Sequence, residues 1–400
     1  MLFDKFQDMA NFQAELAERD VKPFGAVTEQ ILSATEGIVE GRKVILAGTN
    51  NYLGLSYDPR CIRAAQDAAE RWGTGTTGSR LANGSFAEHE ALEQEIAAFY
   101  GVDHAIVFST GYSATMGMCA TLAGPGDTIL LDADSHASIY AGVTLSGADV
   151  IRFKHNNPED LAKRLRRLGD NTGRALIIAE GIYSMYGDIA PLREIAEVKR
   201  EFGGYLFLDE AHSMGTLGAT GRGAAQEAGV EEDVDFFAGT FSKSLGAIGG
   251  FCVSRHAEME AIRFCIRSYI FTASSSPSVI ASTRESLRII QAEPELREKL
   301  WENAHRLYDG LKQLGLPVSP AASPVVALEM EDRSATIDCW KALLEAGVYV
   351  NLVIPPASPS NNYLLRNSVS AAHSTAQIDS IIAAYASLID AGLAKPTLAA

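Results

Sequence analysis

The sequence contains few cysteines, and their spacing argues against a disulfide or zinc framework. Five occur among 400 residues, at positions 61, 119, 252, 265 and 339, and no two form a C-x-x-C pair. An odd number of isolated cysteines is typical of proteins that work in a reducing compartment. We therefore expect a cytoplasmic protein with neither disulfides nor a metal site.

Positive charge and long apolar runs are also scarce. The chain has 34 Lys and Arg residues against 50 Asp and Glu residues, a formal net charge of −16, which disfavours nucleic acid as a partner. No apolar run approaches the ~20 residues that a transmembrane helix needs. The phosphate-binding loop G-x-x-x-x-G-K-[ST] is absent as well, so the D-E-A-H segment at 209–212 is not that of a helicase.

The first residues have the apolar spacing of an amphipathic helix. The apolar positions are Leu2, Phe3, Phe6, Met9, Phe12 and Leu16. Its polar side is mainly acidic, whereas helices that lie on membranes usually carry Lys and Arg there. We expect this helix to dock on the protein body or on a partner subunit, with peripheral membrane association as the alternative.

Strand-like and helix-like segments alternate from about residue 58. Short apolar runs followed by polar or glycine residues predict buried strands at Thr128–Leu131, Asp149–Phe153, Ala175–Ala179 and Tyr205–Leu208. Helical spacing separates these runs. This alternation predicts βαβ units and a largely parallel sheet, which is the α/β fold class.

The pattern changes after about residue 281. One long helical segment, Ser282–Leu314, leads to short predicted strands and a last helix at Thr375–Leu393. A chain of this length exceeds the ~250–300 residues at which a single core stops growing. We therefore predict a helical arm (1–45), a large domain (46–281) and a smaller C-terminal α/β domain (282–400).

Two segments carry the strongest indication of chemistry, Y-L-F-L-D-E-A-H-S (205–213) and G-T-F-S-K-S-L-G (239–246). The first places Asp209 at the carboxyl end of a predicted strand, where α/β folds bind ligands. A carboxylate there can pair with the protonated pyridine nitrogen of pyridoxal 5′-phosphate (PLP). The second places Lys243 among small residues, which suits a Schiff-base lysine. A helix cap and an ordinary loop lysine are the alternatives.

Two further segments follow predicted strands. F-S-T-G-Y (108–112) begins a helix, so the backbone amides of Gly111 and Tyr112 can bind a phosphate. D-A-D-S-H-A-S (132–138) places His136 where its ring can stack on a flat cofactor. A lone histidine is more often structural, so this role depends on the other segments.

Together these segments resemble the α-oxoamine synthases, PLP enzymes that condense an amino acid with an acyl thioester and release carbon dioxide. The resemblance extends from T-N-N-Y-L-G-L (49–55) to L-L-R-N-S-V (364–369). Among family members, the sequences of these motifs are most similar to those of bacterial enzymes that condense serine with a palmitoyl thioester. The resemblance implies fold type I of the PLP-dependent transferases. That fold has a large domain with a mainly parallel sheet and a smaller C-terminal α/β domain.

The resemblance implies a catalytic role for four residues. Lys243 would form the Schiff base and remove the Cα proton of the amino acid. Asp209 would pair with the pyridine nitrogen and His212 with the phenolic oxygen of PLP. His136 would stack on the ring and help to orient both substrates.

The resemblance also implies binding roles. The phosphate of PLP would be held by Gly111, Tyr112, Thr240 and Ser242. Thr272 would reach the phosphate from the other subunit, which implies a homodimer with a shared active site. Ser184 would lie close to the cofactor, while Arg366 and Asn50 would hold the substrate carboxylate.

The implied reaction joins L-serine to a long-chain acyl thioester, carried by coenzyme A or an acyl carrier protein, and gives 3-ketodihydrosphingosine, the first intermediate of sphingolipid synthesis. One departure bears on the substrate. Family members with this activity typically have arginine just before P-P-A, and this chain has Ile354 there. The alternatives within the family are 2-amino-3-ketobutyrate ligase, 8-amino-7-oxononanoate synthase and aminolevulinate synthase activity. A non-catalytic partner subunit is disfavoured because Lys243 is present.

Overall fold

The N-terminal region combines helices with a small sheet in the computed structural model, which describes residues 1–355, 358 and 361–396. Its elements are α1 (Gln7–Glu18), β1 (Thr28–Ile31), β2 (Glu36–Val39), β3 (Arg42–Leu46), α2 (Pro59–Trp72) and α3 (Ala87–Tyr100). The amphipathic helix docks on the protein through Phe12 and Leu16, which are buried, whereas Phe3 and Phe6 are exposed. Docking on the body of the protein is therefore confirmed for the second half of that segment.

A large sheet forms the centre of the chain. Its strands are β4 (His104–Phe108), β5 (Thr128–Asp132), β6 (Asp149–Phe153), β7 (Ala175–Glu180), β8 (Tyr205–Asp209), β9 (Phe236–Thr240) and β10 (Gly250–Ser254). Their order is β4-β10-β9-β8-β7-β5-β6. All neighbours are parallel except β10, which runs antiparallel to both β4 and β9. The predicted mainly parallel sheet is confirmed.

Helices connect these strands and cover the sheet. They are α4 (Gly111–Leu122), α5 (Ala137–Ser146), α6 (Pro158–Leu168), α7 (Leu192–Phe202), α8 (Ala224–Ala228), α9 (Met259–Ile262) and α10 (Arg267–Ile270). Short 3₁₀ helices occur at Asp4–Phe6, Leu55–Tyr57, Gly169–Arg174 and Glu231–Asp233. All six residues of β7 are buried, as expected for a parallel strand covered on both faces.

The C-terminal region contains a second, smaller set of helices and strands. They are α11 (Pro277–Ala292), α12 (Glu295–Gln313), β11 (Val325–Met330), α13 (Arg333–Glu345), β12 (Val348–Tyr349), β13 (Asn351–Val353), β14 (Tyr363–Ser368) and α14 (Thr375–Asp390). The predicted single helix Ser282–Leu314 is wrong, because α11 ends before Pro294. A residue that precedes proline is disfavoured in the helical conformation, which ends the helix there.

The two ends of the chain share one sheet. β12 pairs in parallel with β3, which gives the strand order β1-β2-β3-β12. β11, β14 and β13 form a separate antiparallel sheet. The predicted arm (1–45) therefore includes strands as well as a helix. No helix within the described residues is long and apolar enough to cross a membrane.

Candidate active site

A cavity of about 320 Å³ lies at the carboxyl ends of the central strands β7, β8 and β9 and beside the start of α4. Eight of the predicted site residues line it, namely Gly111, Tyr112, His136, Asp209, His212, Thr240, Ser242 and Lys243. Parallel strands place their carboxyl ends at one edge of the sheet, and ligands bind in the crevice beyond that edge. The fold therefore gathers residues that are far apart in the sequence.

Asp209 is the last residue of β8 and is buried. Its Oδ2 accepts a hydrogen bond from the Thr115 hydroxyl at 3.1 Å, and its Oδ1 accepts one from the backbone N–H of Ala211 at 2.9 Å. Both donors are neutral, so they orient the carboxylate without cancelling its charge. Thr115 belongs to α4 and was not predicted as a site residue.

Lys243 lies in the turn that joins β9 to β10. The protein that surrounds the amine lowers the pKa of Lys243 to about 8, although the carboxylates of Asp209 and Glu180 act in the opposite direction. The turn needs glycine at position 246, where φ is +61° and a Cβ would lie 2.4 Å from the backbone nitrogen of Ser56. The local sequence thus produces a tight turn with an amine that loses its proton readily.

His212 is buried beside Tyr52. The Tyr52 hydroxyl lies 2.6 Å from Nδ1 of His212 and fixes the orientation of the ring. Burial lowers the pKa of His212 well below its ordinary value, and the positive charges of Lys243 and Arg366 lower it further. The imidazole is therefore neutral. Tyr52 lies within the N-N-Y-L-G-L segment, but sequence reasoning did not assign it to the site.

His136 caps the N-terminus of α5. Its Nδ1 lies 2.7 Å from the Ser138 hydroxyl, and its backbone N–H donates to Oε1 of Glu180 at 2.5 Å. Although the side chain is open to the cavity, the surrounding protein lowers the pKa of His136, which favours the neutral ring. Burial raises the pKa of Glu180 well above its ordinary value, and the negative charge of Asp209 adds to this. Glu180 was not predicted as a site residue.

The start of α4 forms the anion-binding end of the cavity. Gly111 passes so close to β9 that a Cβ would lie 2.6 Å from Oγ1 of Thr240, so only glycine fits. The hydroxyls of Thr240 and Ser242 lie 2.8 Å apart. Free backbone N–H groups at the start of a helix, together with two hydroxyls, suit a phosphate group.

Arg366 contacts Asn50, its predicted partner at the substrate carboxylate, and Ser184, which was predicted to lie close to the cofactor. Its Nη1 donates to Oδ1 of Asn50 at 3.1 Å, and its Nε donates to the backbone carbonyl of Ser184 at 2.6 Å. Arg366 lies in β14 and is buried. Its positive charge also contributes to lowering the pKa of Lys243. The roles of these residues in substrate binding stay predictions.

Two positions lie apart from this group. Thr272 is exposed and lines a separate, much smaller pocket with Ser274 and Arg80. Its predicted contact with the phosphate therefore requires a second copy of the chain. Ile354 is buried among apolar residues. The next two residues of that segment are Pro355 and Pro356, of which Pro356 lies outside the described residues.

Comparison with known proteins identifies the family. The family model "Aminotransferase class I and II" matches residues 42–384. Serine palmitoyltransferase of Caulobacter vibrioides is 58% identical over 384 residues, which are 96% of this chain and 95% of that protein. An 8-amino-7-oxononanoate synthase of Lysinibacillus sphaericus is 39% identical over 348 residues, 87% of this chain and 89% of that protein.

The solved structures agree with these relatives. A high-resolution structure of serine palmitoyltransferase with PLP as internal aldimine superposes with a TM-score of 0.95 at 45% identity, covering 98% of this chain and all of that one. Both the fold and the sequence therefore confirm the resemblance that the motifs indicated. The chain belongs to the aminotransferase class I and II family and, within it, to the α-oxoamine synthases.

Proposed function

We propose that this chain is a PLP-dependent acyltransferase that condenses L-serine with a long-chain acyl thioester and releases carbon dioxide. The observation that carries the proposal is the meeting of Lys243, Asp209 and the start of α4 in one cavity. The relative with 58% identity is named serine palmitoyltransferase, which supports serine and a palmitoyl group as the substrates.

The cavity residues fit PLP. The neutral hydrogen-bond donors of Asp209 leave its negative charge for a cationic partner, as a protonated pyridine nitrogen would be. The start of α4 with Thr240 and Ser242 would hold the phosphate, and Lys243 would bond to the aldehyde. PLP, when bound, serves as an electron sink that stabilises negative charge at the Cα of an amino acid.

Lys243 is the group that would move the Cα proton. An ammonium with a pKa near 8 is partly deprotonated at neutral pH, so the amine can accept a proton from Cα and return it. Its position in a turn closed by β9 and β10 holds Nζ at the cavity. His136 would stack on the ring of PLP and His212 would pair with its phenolic oxygen. Both histidines have lowered pKa values, below that of Lys243, so they are weaker bases than its amine.

Arg366 would orient the serine carboxylate. Its Nε and Nη1 already donate to Ser184, Asn50 and Ser368, which fixes the plane of the guanidinium. A guanidinium fixed in this way would present its remaining N–H groups to the substrate carboxylate. With Ile354 at the position of the usual arginine, Arg366 and Asn50 would carry more of the carboxylate contact.

A second cavity, of about 570 Å³, would receive the acyl thioester. It shares His136 with the first cavity. Tyr140, Tyr183, Met185 and Tyr186 form its apolar and aromatic side, and Asp134, His155 and Asp188 form a polar side. Apolar and aromatic walls suit an acyl chain, because each buried CH₂ contributes about 0.8 kcal/mol. His136, which faces both cavities, would contact the acyl carbonyl as it approaches Cα.

A matrix of substrates tests the proposal. Serine, alanine and glycine are each combined with acetyl, octanoyl and palmitoyl thioesters, carried by coenzyme A or by an acyl carrier protein. We expect serine with palmitoyl to give the highest kcat/KM and 3-ketodihydrosphingosine as the product. Preference for glycine with acetyl thioester would indicate a ketobutyrate ligase. Preference for alanine with a dicarboxylic acyl donor would indicate an oxononanoate synthase.

The shared active site leads to a second proposal, a homodimer in which Thr272 of each subunit completes the phosphate site of the other. The exposure of Thr272 outside the single-chain cavity supports it. PLP would then stabilise the dimer by mass action. Sedimentation at increasing dilution, with and without PLP, tests this, and equally tight PLP binding by a dilute monomer would contradict it.

A further inference from the structure

His155 joins two loops at the carboxyl edge of the large sheet. It lies outside the first cavity and lines the polar side of the second, together with Asp188. It follows β6, and its ring is held between two carboxylates. Its Nδ1 lies 2.8 Å from Oδ1 of Asp132, and its Nε2 lies 2.6 Å from Oδ2 of Asp188. The edge of the ring packs against Tyr183 with the centroids 4.4 Å apart.

The two carboxylates require both ring nitrogens of His155 to carry a proton. A carboxylate accepts hydrogen bonds and has none to donate, so Nδ1–H and Nε2–H must both be donors, which makes the ring a cation. The carboxylates raise the pKa of His155 to about 10 although the surrounding protein opposes the charge. His155 is therefore charged at neutral pH and attracts both loops.

Asp132 begins the first of these loops. It ends β5 and is fully buried, and its oxygens also accept from the backbone N–H groups of Asp134 and Asn156, each at 2.9 Å. The loop that it organises leads within four residues to His136. The position of His136 at the cavity thus depends on the conformation that Asp132 sets.

Asp188 closes the second loop. Its carbonyl accepts from the backbone N–H of Tyr183 at 2.9 Å, and a bridge joins Ile182 to Ile189. Ser184 lies inside this loop, and its carbonyl accepts the 2.6 Å hydrogen bond from Nε of Arg366. The orientation of the Arg366 guanidinium therefore depends on where Asp188 holds this loop.

We infer that His155 is a positioning residue that sets the relative placement of His136 and Arg366 by holding Asp132 and Asp188 together. The inference rests on the proposed function for its link to turnover. His155 touches neither Asp209 nor Lys243, so it would act on the amino acid through the two loops and leave the cofactor site intact. A displacement of about 1 Å in such groups can cost about 10²-fold in rate.

A second histidine of the sheet supplies a matched control. His256 also follows a strand, and its Nε2 lies 3.0 Å from Oδ1 of one carboxylate, Asp235. Its side chain is 31% exposed, against 27% for His155. His256 lies at the opposite edge of the sheet, away from His136 and Arg366. Replacing it removes a partly buried contact between histidine and a carboxylate without touching either loop.

The experiment compares His155→Gln, Asp188→Asn and His256→Gln in the full-length holoenzyme. The PLP content and circular dichroism of the cofactor band are recorded first. The Kd for L-serine is then measured by absorbance titration without acyl donor, followed by kcat and KM with palmitoyl thioester and by the Tm. We expect His155→Gln to retain PLP, alter the cofactor dichroism in the presence of serine, raise the serine Kd about tenfold and lower kcat by about 10- to 100-fold.

The remaining outcomes decide the inference. Asp188→Asn should change the same quantities in the same direction by less, and His256→Gln should change the Tm alone. If His155→Gln and His256→Gln both lower the Tm while serine Kd and kcat stay within about twofold of the wild type, His155 is structural only. If His155→Gln does not fold, Asp188→Asn decides by the same criteria. If the wild type binds PLP and serine but does not turn over palmitoyl thioester, the proposed function fails, and the serine Kd and dichroism still test His155.

Discussion

The two edges of the large sheet carry cavities of similar size but different chemistry. The first cavity, at the carboxyl edge, has about 320 Å³ and the cavity at the amino edge about 290 Å³; the second cavity at the carboxyl edge is larger, at about 570 Å³. At the amino edge, Arg174 pairs with Asp127 at 2.8 Å and His256 pairs with Asp235 at 3.0 Å. These pairs are partly open to solvent, and in each of them the carboxylate lies beside a nitrogen of a basic side chain.

The carboxyl edge differs in how its charges are compensated. There, Asp209 has only neutral donors, and the pKa values of Lys243, His136, His212 and Glu180 are all displaced, chiefly by burial. Groups with displaced pKa values cluster where a protein does chemistry. The comparison shows that uncompensated buried charge, more than cavity size, identifies the active site.

The largest expected effect comes from Lys243→Ala at the carboxyl edge. Removing the amine eliminates both the attachment of PLP and the base for the Cα proton, so turnover should fall by about 10⁴-fold or more. The measurement is steady-state turnover, with borohydride reduction and peptide mapping of the wild type to locate the cofactor on Lys243. The fold should persist, as judged by far-ultraviolet circular dichroism. A wild-type protein that is colourless and binds no added PLP would contradict the assignment of the cavity at the carboxyl edge as a PLP site.

Arg366→Ala should have the next largest effect. It removes charge-assisted hydrogen bonds to the serine carboxylate, each contributing about 1.5–3 kcal/mol, so KM for serine should rise by about 10- to 100-fold. KM for the acyl thioester should change less, because Arg366 does not itself line the second cavity and reaches it only through the carbonyl of Ser184. Comparing both KM values in Arg366→Ala and Arg366→Lys separates loss of charge from loss of geometry. An equal rise in the two KM values would contradict the assigned role.

The pH dependence of PLP binding tests whether the carboxyl edge lowers the pKa of Lys243. Capture of PLP needs the neutral amine, and the pKa of Lys243 is lowered from 10.5 to about 8. The rate at which the apoprotein binds PLP should therefore rise as the pH increases through about 8 and then level off, with about a tenfold gain per pH unit below that point. Stopped-flow absorbance measures it, with a lysine-containing peptide as the control. A rise that continues to pH 10 would show that the site does not lower the pKa.

The smallest effect is expected at the amino edge. Arg174→Ala breaks an ion pair in which the arginine side chain is 62% exposed. Such pairs contribute about 0–1 kcal/mol to the free energy of unfolding. Turnover and PLP binding should be unchanged, and chemical denaturation should show only a slight loss of stability. A large loss of activity would mean that the cavity at this edge is functional.

Sequence reasoning predicted four strands of the large sheet, β5 to β8, to within one residue at each end. Asp149–Phe153 was predicted with the observed bounds, and Tyr205–Leu208 lacks only Asp209. Strands β9 and β10 were both missed, although β9 ends in the site at Thr240, because no helix separates these two short apolar runs as helices separate the other strands. The division at 45/46 and 281/282 stays a prediction, and the second of these points falls inside α11.

The site residues that were missed are recognisable only in three dimensions. Thr115 lies one helical turn beyond Gly111, and nothing in its local sequence points to Asp209. Tyr52 reaches His212 across 160 positions of the chain. Glu180 ends a buried strand like Asp209, but its contact with His136 depends on the loop after β5. Motifs identify residues that touch the cofactor, whereas the residues that support them need the fold.

The antiparallel strand β10 has a consequence for how the protein folds. It pairs residues 250–254 with 104–108 of β4, so the turn that carries Lys243 is enclosed by contacts between segments about 146 positions apart. Contacts of such high sequence separation form slowly, because closing the long loop costs conformational entropy before the contacts can stabilise the chain. Helices and the local strand pairs would therefore form before Lys243 reaches its place. In a refolding experiment, the appearance of the cofactor's colour would then mark the closing of the sheet, later than the recovery of helix content.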